Sequence, residues 1–165
     1  MDTKHTAIHE AGHAVAHVRH GIDQAWATIV PSEGSAGNVL ADEGHWNRDD
    51  GEAQVLSYCA GFAALVAAGH STQVAEIGCD DDFKKAVAII EFWDLGNLDT
   101  WKARAVDLMQ RPENVRAVAL IADQLLARER VDADHVQVLV DVADGETTVE
   151  ELAQYLAFRD MVGST

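Results

Sequence analysis

Apolar residues near the start of the chain recur at alternating three- and four-residue steps: Ile8, Ala11, Val15, Val18 and Ile22. This spacing predicts an amphipathic helix, opened by Asp2 or Thr3, both good N-caps, and running to about His20. At about 100° per residue, His5, His9, His13, His17 and His20 gather opposite the stripe. The expected helix has a greasy back and an imidazole front.

The pattern then turns β-like. Trp26 to Val30 is β-rich and ends at Pro31, Gly34 to Gly37 is turn material, and Asn38 to Ala41 reads as a returning strand, so a small hairpin or sheet edge is expected. The polar segment Asp42 to Gly51, with His45 and Trp46 in its middle, reads as a loop. From about Glu52 to Ala68 the chain is apolar all round (Val55, Leu56, Cys59, Ala60, Phe62, Ala63, Leu65, Val66), as a central core helix must be. Gly69 ends it. A connector leads to Cys79 and Asp80-Asp81-Asp82, where a further helix begins with Phe83, Ala86, Val87, Ile89, Ile90 and Trp93 as its apolar positions, broken by Gly96.

Four more helices follow. Asp99 or Thr100 caps the first, to about Gln110; Pro112 opens the second, through Arg128; Asp132 or Asp134 starts the third. Thr148 with Glu151 forms a capping box for the last, to about Asp160. The expected fold is mainly α with a small β-hairpin, a single domain over 1–165 whose metal-site half is 1–93 and whose C-terminal helical half is 97–165.

Composition narrows the function. The net charge of −16 argues against nucleic acid and anionic membrane surfaces, both of which need clustered Lys and Arg. No apolar run is long enough to span a bilayer, and the start Met-Asp-Thr-Lys-His lacks the form of a signal peptide. Two cysteines, Cys59 and Cys79, are too few for a disulfide framework; reduced thiols in a cytoplasmic protein are expected. The Trp residues at 26, 46, 93 and 101 read as core or cleft wall.

The chemistry sits in His9-Glu10-Ala11-Gly12-His13. Histidines four apart on a helix share a face and can bind one ion, and the Glu beside the first can reach a water on it. His5–His9 and His13–His17 have the spacing without the acid. A catalytic zinc takes three protein ligands plus a water. A third His in the longer H-E-x-x-H-x-x-G-x-x-H form would fall at 19, which is Arg19, so the third ligand must lie further on. Helical steps of four, seven and eleven residues from Asp82 meet Ala86, Ile89 and Trp93, an inward-facing stripe; from Asp81 they meet Lys85, Ala88 and Phe92. A carboxylate at the head of a buried stripe is costly unless paired or bound to a cation. Asp82 therefore fits a ligand, and Asp80 and Asp81 fit helix caps. His5, His17 and His20 read as rim or surface residues, His45, His70 and His135 as loop or helix-surface residues, and Cys79 as a small buried thiol.

The run Thr6 to Val15 (Thr-Ala-Ile-His-Glu-Ala-Gly-His-Ala-Val) is similar to the peptidase domain of FtsH-type ATP-dependent zinc metalloproteases. Ala27 to Pro31 followed by Gly37 resembles that domain's strand pair, and Ala60-Gly-Phe-Ala-Ala64 lies where the family has Ala-Gly-Arg-Ala-Ala. Gly78 to Ala86 matches the Gly-x-x-x-Asp-x-x-x-Ala segment, which places the family's third zinc ligand on Asp82. The resemblance is strong to about Ala88 and extends in helix order beyond. It departs at Phe62, where the family has Arg, and at Leu65, where it has an acid. No phosphate loop of the form G-x-x-x-x-G-K-[ST] occurs, so the family's ATPase module is not expected in this chain.

The resemblance implies a zincin-like domain and a zinc-dependent endopeptidase acting on unfolded or flexible polypeptides. One zinc ion on His9, His13 and Asp82 and Glu10 as general base are expected. Residues Gly37, Asn38, Val39 and Leu40 are expected to hold an extended substrate by main-chain pairing. A homo-oligomer or a separate ATPase partner fits the family pattern. The alternative is a non-catalytic zinc-binding or partner-binding domain that retains the fold. The donor set also suits other divalent ions.

Overall fold

The computed structural model describes residues 2–30 and 47–163. Among them are eight helices and one two-stranded antiparallel sheet. Helix α1, Thr3–His20, is capped by the Asp2 carboxylate, which accepts from the His5 N–H, and closes on Gly21 in the left-handed region at φ 64°. Its back is apolar as expected; of its imidazole front, His5 and His9 are buried while His13, His17 and His20 are half-buried. His5, Ala7, His9, Ala11, Gly12, Ala14, Val15 and Ala16 are all buried, because α1 lies between α2 (Arg48–Ala67) and α6 (Pro112–Arg128).

Helix α2 is the central element and packs on α1, α4 (Asp80–Trp93) and α5 (Leu98–Met109). It starts at Arg48 rather than near Glu52, so residues 48–51 are not loop. The reason is a capping box: Asn47 accepts from the Asp50 N–H while Asp50 accepts from the Asn47 N–H. The two long helices touch backbone to backbone. A Cβ on Gly12 would fall 2.5 Å from the Ala60 carbonyl oxygen and 2.7 Å from the Ala64 Cβ.

A short helix α3 (Thr72–Ala75) precedes α4. The C-terminal half completes the bundle with α5, α6, α7 (Ala133–Asp144) and α8 (Val149–Val162). Pro112 opens α6, Asp132 caps α7 and the Thr148–Glu151 capping box opens α8, while α5 is capped by Asn97 rather than Asp99 or Thr100. Arg19 ties α1 to this half. Its guanidinium donates to both Asp144 oxygens at 2.6 Å and to the Asn114 carbonyl oxygen at 2.7 Å, and the Asn114 amide donates to the Leu108 carbonyl.

The strand β1 (Trp26–Thr28) pairs with β2 (Arg130–Asp132), Trp26 opposite Asp132 and Thr28 opposite Arg130. The second strand of the expected hairpin, Asn38 to Ala41, lies outside the described residues, as do His45 and Trp46. Ala27 and Val131 point into the core, and their neighbours face outward. Two histidines are buried against expectation: His5, whose ring lies 5.7 Å from that of His70, and His135, whose ring lies 5.7 Å from that of Tyr155 under α8. No helix among the described residues is long and apolar enough to cross a membrane.

The α1–α2 contact generates a stability prediction. Gly12→Ala forces a methyl against a backbone carbonyl and should destabilise the fold by about 2–3 kcal/mol in urea unfolding. A change under about 0.5 kcal/mol would contradict the close approach.

Candidate metal centre

Three side chains from α1 and α4 converge over the backbone of α2. The His9 and His13 Nε2 atoms are 3.0 Å apart, His9 Nε2 lies 3.1 Å from the Asp82 Oδ2, and His13 Nε2 lies 3.3 Å from the same oxygen. Metal–nitrogen and metal–oxygen arms of about 2.0–2.1 Å give a tetrahedron edges of about 3.3–3.4 Å, so the triangle is only a few tenths of an ångström tight. No other three His, Cys, Asp or Glu residues among those described gather their ligand atoms this closely. Two imidazoles and a carboxylate leaving a fourth position open are a donor set that suits zinc.

The surroundings aim both rings. His13 Nδ1 lies 2.7 Å from the Ser57 carbonyl oxygen, which can only accept, so Nδ1 carries the proton and Nε2 offers its lone pair. His9 Nδ1 lies 3.8 Å from the Cys79 Sγ, and that thiol donates in turn to the Ala75 carbonyl at 3.2 Å. The chain of bonds places a proton on His9 Nδ1 as well. Burial pushes the Cys79 thiol up to about 12, and the thiol meets His9 on its Nδ1 side, away from the Nε2 that faces Asp82. Gly61 gives the rings their seat. A Cβ there would fall 2.5 Å from His9 Cε1 and 2.8 Å from His13 Nε2.

Asp82 stands in the first turn of α4 at the head of a stripe in which Ala86 and Ile89 are buried and Trp93 is half-buried. Asp80 and Asp81 are exposed, and Asp81 pairs with Lys84 at 3.3 Å. Neither caps the helix; Cys79 occupies that position without a side-chain cap bond.

Without a metal, the triad holds a proton instead. Burial works against a charged His13, but the Asp82 hydrogen bond and charge outweigh it and raise the imidazole to about 9. Burial likewise favours a neutral Asp82, and the hydrogen bond and charge of His13 lead the effects that overcome it, holding the carboxyl well below the usual carboxylate range. His17 goes the other way: burial and the His13 charge push it down to about 4, so it is neutral at pH 7.

The triad opens onto a cleft of about 290 Å³ walled by Glu10, His13, His17, Tyr58, Asp82 and Lys85. Glu10 is half-buried on the helix face that borders this cleft. Gly37, Asn38, Val39 and Leu40, the expected substrate-holding strand, lie outside the described residues. Sequence reasoning gave no role to Ser57, Gly61 or Tyr58. A glycine inside an apolar helix, costing about 1 kcal/mol against alanine, was the available signal for Gly61; Ser57 acts through a backbone atom and left none. A separate apolar hollow of about 290 Å³ between α1, α2 and α6 is lined by Ile8, Met109, Val118 and Leu126 and carries none of this chemistry. No family model matches the chain, and no curated protein matches it.

If a metal takes this triad, the proton held by His13 must leave. At pH 7.5 zinc uptake should therefore release about one proton, seen as a dependence of the calorimetric heat on buffer ionisation enthalpy. In the metal-free protein His13 contributes stability that is complete below its ordinary value of 6.5 and is lost as pH rises through about 9. Zinc uptake with no proton release would contradict the His13–Asp82 pairing.

Proposed function

We propose that this chain is a zinc-dependent metalloendopeptidase hydrolysing peptide bonds of unfolded or flexible polypeptides, on a zincin-like helical domain similar to the FtsH-type peptidase domain. The observation that carries the reading is the donor triangle of His9, His13 and Asp82 opening onto the cleft that Glu10 borders. A mere metal holder has no need of an acid at position 10.

In this reading His9, His13 and Asp82 hold the ion. Zinc, when bound, supplies a water acidified towards about pKa 7 and polarises the scissile carbonyl. Glu10 accepts the proton of the attacking water and returns it to the leaving amine, the role its place on the cleft wall allows. Ser57 and Cys79 keep the two imidazoles in the tautomers that present Nε2. Asp82 adds a negative charge, lowering the net charge of the loaded site. Tyr58 and His17, on the same walls, are neutral side chains available to a substrate.

The departures from the family pattern are accommodated inside the core. Phe62 and Leu65 are buried, and the Lys102 ammonium from α5 lies 4.5 Å from the Phe62 ring centroid and 4.9 Å from that of Phe83, paired with Glu76. A cation thus reaches this region from another helix. Flexible substrates can enter the cleft without ATP-driven unfolding; a separate ATPase or a homo-oligomer would extend the range to folded ones.

Zinc content and cleavage of casein test the reading together. Wild type should bind one zinc per chain and cleave, and Glu10→Gln should keep the zinc and lose about 10²–10⁴-fold in rate. Equal, negligible cleavage by both proteins would leave only the non-catalytic zinc-binding alternative.

A further inference from the structure

The cleft continues past Glu10. A second hollow of about 580 Å³ shares Glu10, Trp26 and Ala27 with the metal cleft and runs along β1 to Arg128, Glu129 and Arg130. Its wall is the outward face of the two-stranded sheet. Trp26 and Thr28 on β1 and Arg130 and Asp132 on β2 share that face, since Ala27 and Val131 between them turn inward. Trp26 and Arg130 are diagonal neighbours across the pair, within reach of long side chains.

The two arginines here differ. Arg128 is engaged: it donates to Gln124 at 3.0 Å and to Asp160 at 2.7 Å. Arg130 is paired with Thr28 through its backbone, but its guanidinium has no hydrogen-bond or ion-pair partner among the described residues. Its guanidinium instead lies 3.9 Å from the Trp26 ring centroid. Such stacking satisfies the flat face of a guanidinium and leaves its N–H edge free, the arrangement that receives a carboxylate through two parallel hydrogen bonds. In a chain with 28 acidic and 12 basic residues, a cleft arginine without an acidic partner among the described residues stands out.

We infer that this end of the cleft is a carboxylate subsite: Arg130, held flat by Trp26, receives a carboxylate of a peptide lying through the cleft past Glu10. That the ligand is a peptide rests on the peptidase reading; the carboxylate contact rests on the sheet face itself. Glu129 lines the same hollow and opposes the bound charge, so the subsite is expected to be selective rather than tight.

The test uses the whole chain carrying Glu10→Gln, which holds a peptide without cutting it. Three labelled peptides of one otherwise uncharged sequence are compared by fluorescence anisotropy: an internal Glu with an amidated C-terminus, Gln in its place with the same amide, and Gln with a free terminal carboxylate. One carboxylate peptide should bind about five- to tenfold more tightly than the Gln amide, and which one does so says whether a side chain or a chain terminus is read. Arg130→Gln should erase the preference, Trp26→Leu should reduce it, and Glu129→Gln should enlarge it. Equal affinities, a preference that survives Arg130→Gln, or no binding of any peptide would each overturn the subsite. A preserved preference in a protein whose wild type cleaves nothing would sink the peptidase reading and leave this one standing.

Discussion

Everything at the centre of this protein depends on α1 and α2 lying in backbone contact. Gly12 of α1 meets Ala60 and Ala64 of α2, and one position along, Gly61 of α2 meets the rings of His9 and His13. Each helix gives up a side chain so that the other can approach. The consequence is chemical as well as mechanical. Only at that separation can the Ser57 carbonyl reach His13 Nδ1, and only over a bare α-carbon can two imidazoles lie with Nε2 atoms 3.0 Å apart. Ala60 and Ala64, the residues that meet Gly12, are themselves almost wholly buried.

The third side of the triangle comes from α4, whose apolar stripe fixes its rotation on α2. Burying Ala86 and Ile89 leaves no choice about where residue 82 points. A buried carboxylate without a partner would be costly, and here two imidazoles flank it. The three side chains form an imidazolium–carboxylate cluster. As the proposed metal centre, the same three atoms would be the ligands, and a bound ion would take the place of the His13 proton. Stability, metal affinity and pH would then be coupled through one small cluster.

Helix ends were readable where the chain spells its caps: Asp2, Pro112, Asp132 and the Thr148–Glu151 box each stand where the pattern predicts. The start of α2 was not, because its Asn47–Asp50 box sits in a polar stretch that reads as loop, and periodicity speaks only from Val55 onward. The strand β2 has no sequence signal, since three residues between two helices carry no period and its partner β1 lies far away in sequence. His5 and His135 read as surface because imidazole is polar; each is covered by a residue distant in sequence, His70 and Tyr155 of α8, which a single helical wheel does not include. In the candidate site, the residues of the H-E-x-x-H motif and Asp82 could be named from spacing and register. Their supports could not. Ser57 works through its carbonyl, Gly61 through the absence of a side chain, and Cys79 through a thiol that spacing alone cannot distinguish from a ligand.

We propose that one divalent ion binds to the two imidazole nitrogens of His9 and His13 and one Asp82 carboxylate oxygen, with the Cys79 thiol outside its shell. X-ray absorption at the zinc K-edge of the loaded protein tests this directly. The expected result is a four-coordinate shell of nitrogen and oxygen neighbours at about 2.0–2.1 Å with the multiple-scattering signature of two imidazoles. A sulfur neighbour at about 2.3 Å, or a shell without imidazole scattering, would contradict it.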